Sequence, residues 1–370
     1  MKICRLCKSL PSVHQNLNQE CVCRGQYLEE TQPSALALNW EKTKTAPPHF
    51  WRYQGILPEL KPENRIEFQE GMTPLTSIEL SGKKVWIKLE HLLPTGSYKD
   101  RGTAVMLSVL KDLGIKEVVE DSSGNAGASV AAYAARGGLK AKIFVPENTS
   151  ISKIGQIQAY GAEVVKVSGS RADCENAAVA AARKSFYASH VRFSTFSTGT
   201  QTFILEVFEQ FNQNLPEVLF LPLGNGSLLL GVYKGLMHLK AQGYITTYPK
   251  IIAVQAANCA PIYHRWKEQV PEKAQPTLAE GIAVDRPFLL SPILEVLKAL
   301  KGEVMTVDEG ALKSALKQVW QKGFLIEPTS AAVFAAMEKC LSTGDELSAK
   351  SWLSLTSGNG LKTGFGTQSR

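Results

Sequence analysis

Long apolar runs are missing from this chain of 370 residues: nothing in it approaches the roughly 20 apolar residues that cross a bilayer. The first residues likewise do not set a basic stretch ahead of an apolar one, as a secretory leader does. A cytoplasmic protein is the expectation. Blocks of like charge are missing too, and the formal net charge of +7 is spread thinly. Charge alone therefore calls for neither nucleic acid nor a membrane surface, and suits the milder attraction of small anions. There is no disulfide framework: the 7 cysteines are an odd number, and Cys174, Cys259 and Cys340 stand singly in apolar or helical surroundings. Glycine and proline are scattered rather than clustered, which excludes low-complexity architecture.

What is present is a globular composition, 44% hydrophobic and 20% charged, in a chain long enough for two packed units. The other four cysteines, Cys4, Cys7, Cys21 and Cys23, form a C-x-x-C followed by a C-x-C. That spacing is close to a zinc ribbon, in which four thiolates close a tetrahedral structural site; a ribbon of the same shape without metal is the alternative. Residues 1–30 are read as this ribbon-like segment. Residues 31–48 are polar, carry prolines and have no firm period, so they read as a linker.

Beyond the linker the chain alternates between strand and helix patterns. Strands are expected over 84–89, 117–120, 141–146, 163–167, 218–223, 251–255 and 352–355. Helices are expected over 104–113, 128–135, 152–160, 173–184, 201–211, 228–240, 292–300, 310–322 and 331–340. Such alternation implies parallel sheets covered on both faces, with the ligand site at the carboxyl ends of the strands. The fold class expected is α/β, built as two three-layer units. A large unit, 46–102 with 194–370, would hold the cofactor, and a small mobile unit, 103–193, would be inserted into it.

Four turns at strand ends carry chemistry. Pro94-Thr95-Gly96-Ser97-Tyr98-Lys99-Asp100-Arg101-Gly102 places one lysine between a small-residue turn and an apolar helical run. A helix start is a site of positive potential, which favours the free amine that Schiff-base chemistry needs; a solvated surface lysine is the plain alternative. Gly224-Asn225-Gly226-Ser227, after an apolar strand and before Leu228 opens an apolar helix, can converge backbone N–H groups on a phosphate. It is a poor dinucleotide fingerprint, because its third glycine, Gly231, falls too late. Ser122-Ser123-Gly124-Asn125 brings an amide to a third strand end, and Thr356-Ser357-Gly358-Asn359-Gly360 closes the series. A phosphate cradle, a Schiff-base lysine and an in-plane amide together fit one aromatic aldehyde phosphate.

Those four motifs, in this order, resemble the threonine synthase branch of the fold-type II pyridoxal-phosphate enzymes, relatives of the tryptophan synthase β-subunit and of serine and threonine dehydratases. The cysteine-bearing leader is similar to that of many threonine synthases. The resemblance implies pyridoxal 5′-phosphate as cofactor, an amino acid as substrate and a homodimer. Lys99 would hold the cofactor as a Schiff base and then transfer protons. Asn125 would bond the ring 3′-oxygen, and Gly224, Asn225, Gly226, Ser227 and Leu228 would hold the phosphate. Ser97, Ser122, Ser123 and Gly124 would bind substrate. Thr356 or Ser357, depending on the direction of alignment, would face the ring nitrogen, and a neutral hydroxyl there leaves that nitrogen largely unprotonated.

The match departs from the threonine synthases at the turn that binds the substrate's phosphate, at Tyr98, where phenylalanine is common, and at the loop Glu280-Gly281-Ile282-Ala283-Val284, which resembles one of the dehydratases. An arginine before a Gly-x-Lys-Thr turn, which helps bind the substrate's phosphate, falls here near Phe196, and the lysine becomes Gln201. A phenyl ring cannot replace a charge-assisted fork to a dianion; Arg192 is the nearby cation. Two chemistries are therefore expected: elimination and replacement as in threonine synthase, or dehydration or β-replacement on an unphosphorylated amino acid. A cofactor-binding homologue without turnover is the non-catalytic alternative.

Overall fold

The computed structural model describes residues 2–4, 27–29, 38–149, 151–182, 185–344, 347 and 350–363. The chain packs as two compact units, Met1–Gln69 with Lys99–Gly199 and Glu70–Tyr98 with Thr200–Arg370. Of the four N-terminal cysteines, Cys7, Cys21 and Cys23 lie outside the described residues. Cys4 ends the short strand Lys2–Cys4, paired antiparallel with Tyr27–Glu29. Among the described residues no helix is long and apolar enough to cross a membrane.

In the first unit, four parallel strands lie in the order Glu163–Val167, Lys140–Pro146, Glu117–Glu120 and Phe186–Tyr187. Helix Asn125–Gly137 returns the chain from one central strand to the next and ends at Gly138 in the left-handed region, φ 71°, a conformation glycine adopts without a Cβ penalty. Helix Arg171–Ala181 starts on a reciprocal capping box between Ser170 and Asp173. Its Ala178 and the adjoining Ala182 pack with Val119, Phe144 and Tyr187.

The segment read as a linker contains a helix, Trp40–Thr45, that starts on Asn39, whose side chain accepts from the Lys42 N–H. Tertiary burial overrides the weak local pattern: Trp40 is buried and meets the Tyr53 ring edge-on at 6.1 Å.

The second unit is built on six strands in the order Glu303–Val307, Lys250–Ala256, Val218–Pro222, Trp352–Leu355, Lys83–Lys88 and Leu75–Leu80. All neighbours are parallel except the last pair, a hairpin. Ser81 and Gly82 turn that hairpin with φ of 43° and 81°, the two-residue geometry whose twist matches that of paired strands. The edge strand Glu303–Val307 is not expected from sequence; its alternating Glu303, Val304, Met305, Thr306, Val307 is short and half-polar. Trp352, Leu353 and Leu355 are wholly buried, as a strand between two neighbours requires.

One ion pair lies inside this unit. Lys88 Nζ sits 2.7 Å from Glu206 Oε2 with both side chains fully buried, and it also donates to the Thr73 carbonyl at 2.7 Å. Two charges out of water hold together only while both are present. Glu206→Ala is expected to cost about 3–5 kcal/mol, read as a lower urea midpoint at unchanged slope.

Candidate active site

The first unit carries Lys99 as the first residue of helix Lys99–Asp112 and Asn125 as the first residue of helix Asn125–Gly137. Ser129 Oγ donates to Asp100 Oδ1 at 2.7 Å and ties the two helix starts together. The turn before Asn125 folds back over its own helix, so that a Cβ at Gly127 would overlap the Ser122 carbonyl. This explains the second glycine of Ser-Ser-Gly-Asn-Ala-Gly, for which local sequence offers no reason. Ser122, Ser123 and Asn125 are half-buried and Gly124 is exposed, and the Gly124 N–H donates to Ser122 Oγ at 3.3 Å within the turn.

Lys99 Nζ lies 5.5 Å from the centre of the Phe196 ring, a cation–π distance. Phe196 is 1% exposed, and its ring fills the space that a side chain at Gly102 would need. At the position of the phosphate-binding arginine there is thus a buried phenyl group against the lysine. Arg192 is engaged elsewhere, with Glu175 Oε1 at 2.6 Å.

A set of buried titratable groups beneath this turn escapes sequence reasoning. Glu120 Oε1 and His190 Nδ1 share a 2.9 Å hydrogen bond, and Glu120 Oε2 has no hydrogen-bond partner. Burial pushes the Glu120 carboxyl up, and burial with the charge of Lys99 holds His190 well below the usual imidazole range. Asp121 accepts from Tyr187 Oη at 2.8 Å and pairs with Arg171 at 3.0 Å; burial first, then the neighbouring Glu120 charge, raises it to about 6. The available signal was the acid pair Glu120-Asp121 at the end of a strand that a parallel sheet must bury.

The second unit holds the other motifs. Helix Ser227–Ala241 begins after Gly226, which has φ 82° and no side-chain cap. The first-turn N–H groups of a helix have no acceptor within it, and this terminus adds the positive end of the helix dipole, a setting that suits an anion. A Cβ at Gly224 would lie 3.1 Å from Ile282 Cα, and one at Gly226 would overlap Ile293; the narrow walls demand both glycines. Leu228 is buried and anchors the turn from behind.

The lysine loop is pinned to the closing loop. Ser97 and Gly358 form an antiparallel bridge, Tyr98 N–H donates to the Ser357 carbonyl at 3.1 Å, and Asn359 N–H donates to the Gly96 carbonyl at 2.9 Å. Tyr98 Oη lies 3.5 Å from Ser227 Oγ, at the phosphate-type turn. Ser97 Oγ is buried without a hydrogen-bond partner, as a group awaiting a ligand would be. Thr356 Oγ1 meets His91 Nδ1 at 2.6 Å, and Ser357 Oγ donates to Glu327 Oε1 at 2.9 Å. An uncapped glycine-bound helix start and an orphaned hydroxyl beside the lysine loop fit a phosphorylated aldehyde. Among the described residues no group of three or more His, Cys, Asp or Glu side chains could hold a metal ion.

The sequence profile described as "Pyridoxal-phosphate dependent enzyme" matches residues 66–358. The chain belongs to this family, and its cofactor is pyridoxal phosphate. Among its relatives, the threonine synthase of Methanocaldococcus jannaschii is 30% identical over 356 residues, covering 92% of this chain and 88% of that one. The threonine synthase of a Bacillus species is 31% identical over 320 residues, covering 84% and 89%. Of solved structures, threonine deaminase isoform 2 from Solanum lycopersicum superposes with a TM-score of 0.68 at 22% identity over 95% of this chain and 94% of that one. Serine racemase from Dictyostelium discoideum gives 0.68 at 24% over 85% and 99%. These two likenesses bear on the fold, which is the α/β fold of the tryptophan synthase β-subunit type.

Asp121 gives the site a pH signature. Its folded value near 6 stands above the unfolded carboxylate value of roughly 3.9, so the folded chain keeps a proton that the unfolded chain has lost. Stability from this group is therefore present at low pH and falls as pH rises from about 4 to about 6, by on the order of 2–3 kcal/mol. Asp121→Asn is expected to flatten that part of the profile in urea unfolding from pH 4 to 7.

Proposed function

We propose that the chain is a threonine synthase-like enzyme, which eliminates a leaving group from an amino acid and adds a nucleophile in its place. The observation that carries this reading is the pinning of the Lys99 loop by the Ser357–Asn359 turn, with Tyr98 reaching the glycine-bounded helix start. That arrangement sets an amine next in sequence to a residue that touches the anion cradle. Pyridoxal phosphate, when bound, supplies the electron sink that makes an amino-acid α-proton removable. The chain's own part is to bind, orient and move protons. Lys99 Nζ would hold the cofactor at its aldehyde carbon and serve as the proton carrier, and Asn125 would orient the ring oxygen. The 224–228 turn would hold the phosphate, and Thr356 or Ser357 would meet the ring nitrogen. Ser122, Ser123 and Gly124 would receive the substrate's α-carboxylate, and Ser97 would also bind substrate.

A second reading, dehydration or β-replacement on an amino acid without phosphate, is favoured by Phe196. A phenyl ring packed against Lys99 in place of a cation offers a phosphorylated side chain no partner, and Arg192 is already held by Glu175. Assays of phosphate release from O-phosphohomoserine, run beside keto-acid and ammonia release from serine and threonine, separate the two. Phosphate release carries the first reading, and keto acid without phosphate carries the second.

Further parts of the proposal rest on the sequence. The small mobile part is placed at 103–193 and the cofactor-binding part at 46–102 with 194–370, on the alternation of strands and helices. The homodimer follows from the family resemblance, and a cytoplasmic setting from the sequence-based expectation. A structural zinc at Cys4, Cys7, Cys21 and Cys23 rests on cysteine spacing alone; metal analysis of purified protein is expected to find about one zinc per chain, the stoichiometry of a four-thiolate site.

Lys99→Ala is expected to abolish borohydride-dependent incorporation of pyridoxal phosphate into the chain. It should lower turnover by roughly 10²–10⁴-fold or more, the scale of a lost positioned base. Labelling of another lysine in the unsubstituted protein would refute the assignment.

A further inference from the structure

Behind the Lys99 amine three side chains stand in a row. Lys99 Nζ lies 5.5 Å from the centre of the Phe196 ring. That ring meets the His190 imidazole edge-on, with centres 5.8 Å apart at 63°, and His190 Nδ1 shares a 2.9 Å hydrogen bond with Glu120 Oε1. All four residues belong to the first unit, and its backbone explains why they meet. Strand Glu117–Glu120 runs parallel to Phe186–Tyr187, and the Ala188 N–H extends that pairing by donating to the Val119 carbonyl at 2.8 Å. His190, two residues further on, is thereby delivered beside Glu120. Bonds from Phe193 N–H to the Ser189 carbonyl at 3.1 Å and from Phe196 N–H to the Phe193 carbonyl at 3.0 Å then curl the chain, bringing the ring to Lys99.

The pair behind the ring is shut away from water, with Glu120 and His190 0% and 9% exposed. Burial pushes the carboxyl up and the imidazole down, each towards its neutral form. What the pair gives the ring is therefore a fixed place more than a charge. The ring is also wedged into the space that a Cβ at Gly102 would need, on the lysine's own helix. The other charged groups about this row are Asp121, met by Tyr187 and by Arg171, and, on the lysine's helix, Asp100, which accepts from Ser129, and the wholly buried Arg101. The face of a phenyl ring is the negative part of its quadrupole, so it attracts an ammonium group and not a neutral amine.

We propose that Phe196 is the seat of the protonated Lys99 amine, and that Glu120 and His190 are positioning residues that hold its ring in place. This rests on the proposed function, in which Lys99 carries a proton. A free amine that takes the substrate's α-proton becomes an ammonium, and the electron pair of the broken C–H bond stays with the substrate. A carboxylate beside that cation would compete for its proton, and an arginine would repel it. A phenyl face attracts the charge and cannot accept the proton, which stays available for delivery. The ring that stands where the threonine synthases carry an arginine thus acts on the lysine itself.

Full-length protein freed of cofactor tests this in two ways. With the lysines carrying ¹³C-labelled methyl groups, the methyl proton signal that is lost in Lys99→Arg is expected upfield of the other lysine signals, shifted by the ring current of Phe196. A signal among the others overturns the inference whether or not any variant folds. Unmethylated protein is then offered pyridoxal 5′-phosphate over a range of pH and fixed with borohydride, and the pH of half-maximal attachment is read. Phe196→Leu is expected to lower that midpoint by about one pH unit, the scale of one cation–π contact, and Phe196→Tyr, which keeps the ring, to leave it unchanged. Glu120→Ala should lower it in part, and Glu120→Gln, which can still bond His190, should restore it. An unmoved midpoint in folded Phe196→Leu overturns the seat, and equal shifts in Glu120→Ala and Glu120→Gln overturn the positioning role. Attachment to Lys99 without these shifts sinks this inference alone, while no label on Lys99 sinks the functional reading with it.

Discussion

The bridge between Ser97 and Gly358 is the constraint on which the proposed chemistry of this chain depends. A lysine on a free loop samples many positions, and a reaction that must form and break a bond at its amine loses orientation entropy in selecting one of them. Here the residues on its N-terminal side are held by main-chain hydrogen bonds from Tyr98 to Ser357 and from Asn359 to Gly96. Backbone bonds do not depend on rotamers, so the amine's origin is set before any ligand arrives. The same turn brings Ser357, whose hydroxyl donates to Glu327, so the restraint on the lysine loop and a buried carboxylate contact belong to one short segment.

Around that bridge, charge is placed sparingly. The Lys88 and Glu206 pair has no access to solvent, and Lys88 also supplies the carbonyl that receives Thr356 N–H at 3.0 Å. The ion pair thus braces the strand beside the one from which the closing loop departs. In the other unit the acids Glu120 and Asp121 are pushed towards their neutral forms by burial, while Arg171 and Tyr187 satisfy Asp121.

Much of the fold was legible because buried parallel strands are near-continuous apolar runs. The strands Glu163–Val167 and Trp352–Leu355 were located to the residue, and the sheet class followed from alternation. The four turns were legible because small residues at strand ends have few other uses. What stayed hidden depended on distant partners. Glu303–Val307 looks half-polar until its neighbour is known, and Trp40–Thr45 is helical because its tryptophan finds Tyr53. Local spacing also could not say that the proton of Ser357 is given to Glu327, 30 residues earlier in the chain. Hydrogen-bond partners are a property of three-dimensional neighbours, which spacing in sequence does not contain.

The strand order of the larger sheet carries one more consequence. Trp352–Leu355, near the end of the chain, lies in the middle, between Val218–Pro222 and Lys83–Lys88. During synthesis the two halves of this sheet have no shared neighbour until that strand leaves the ribosome. Until that strand is made, the nascent protein therefore carries two open sheet edges, of the kind that recruit stray partners.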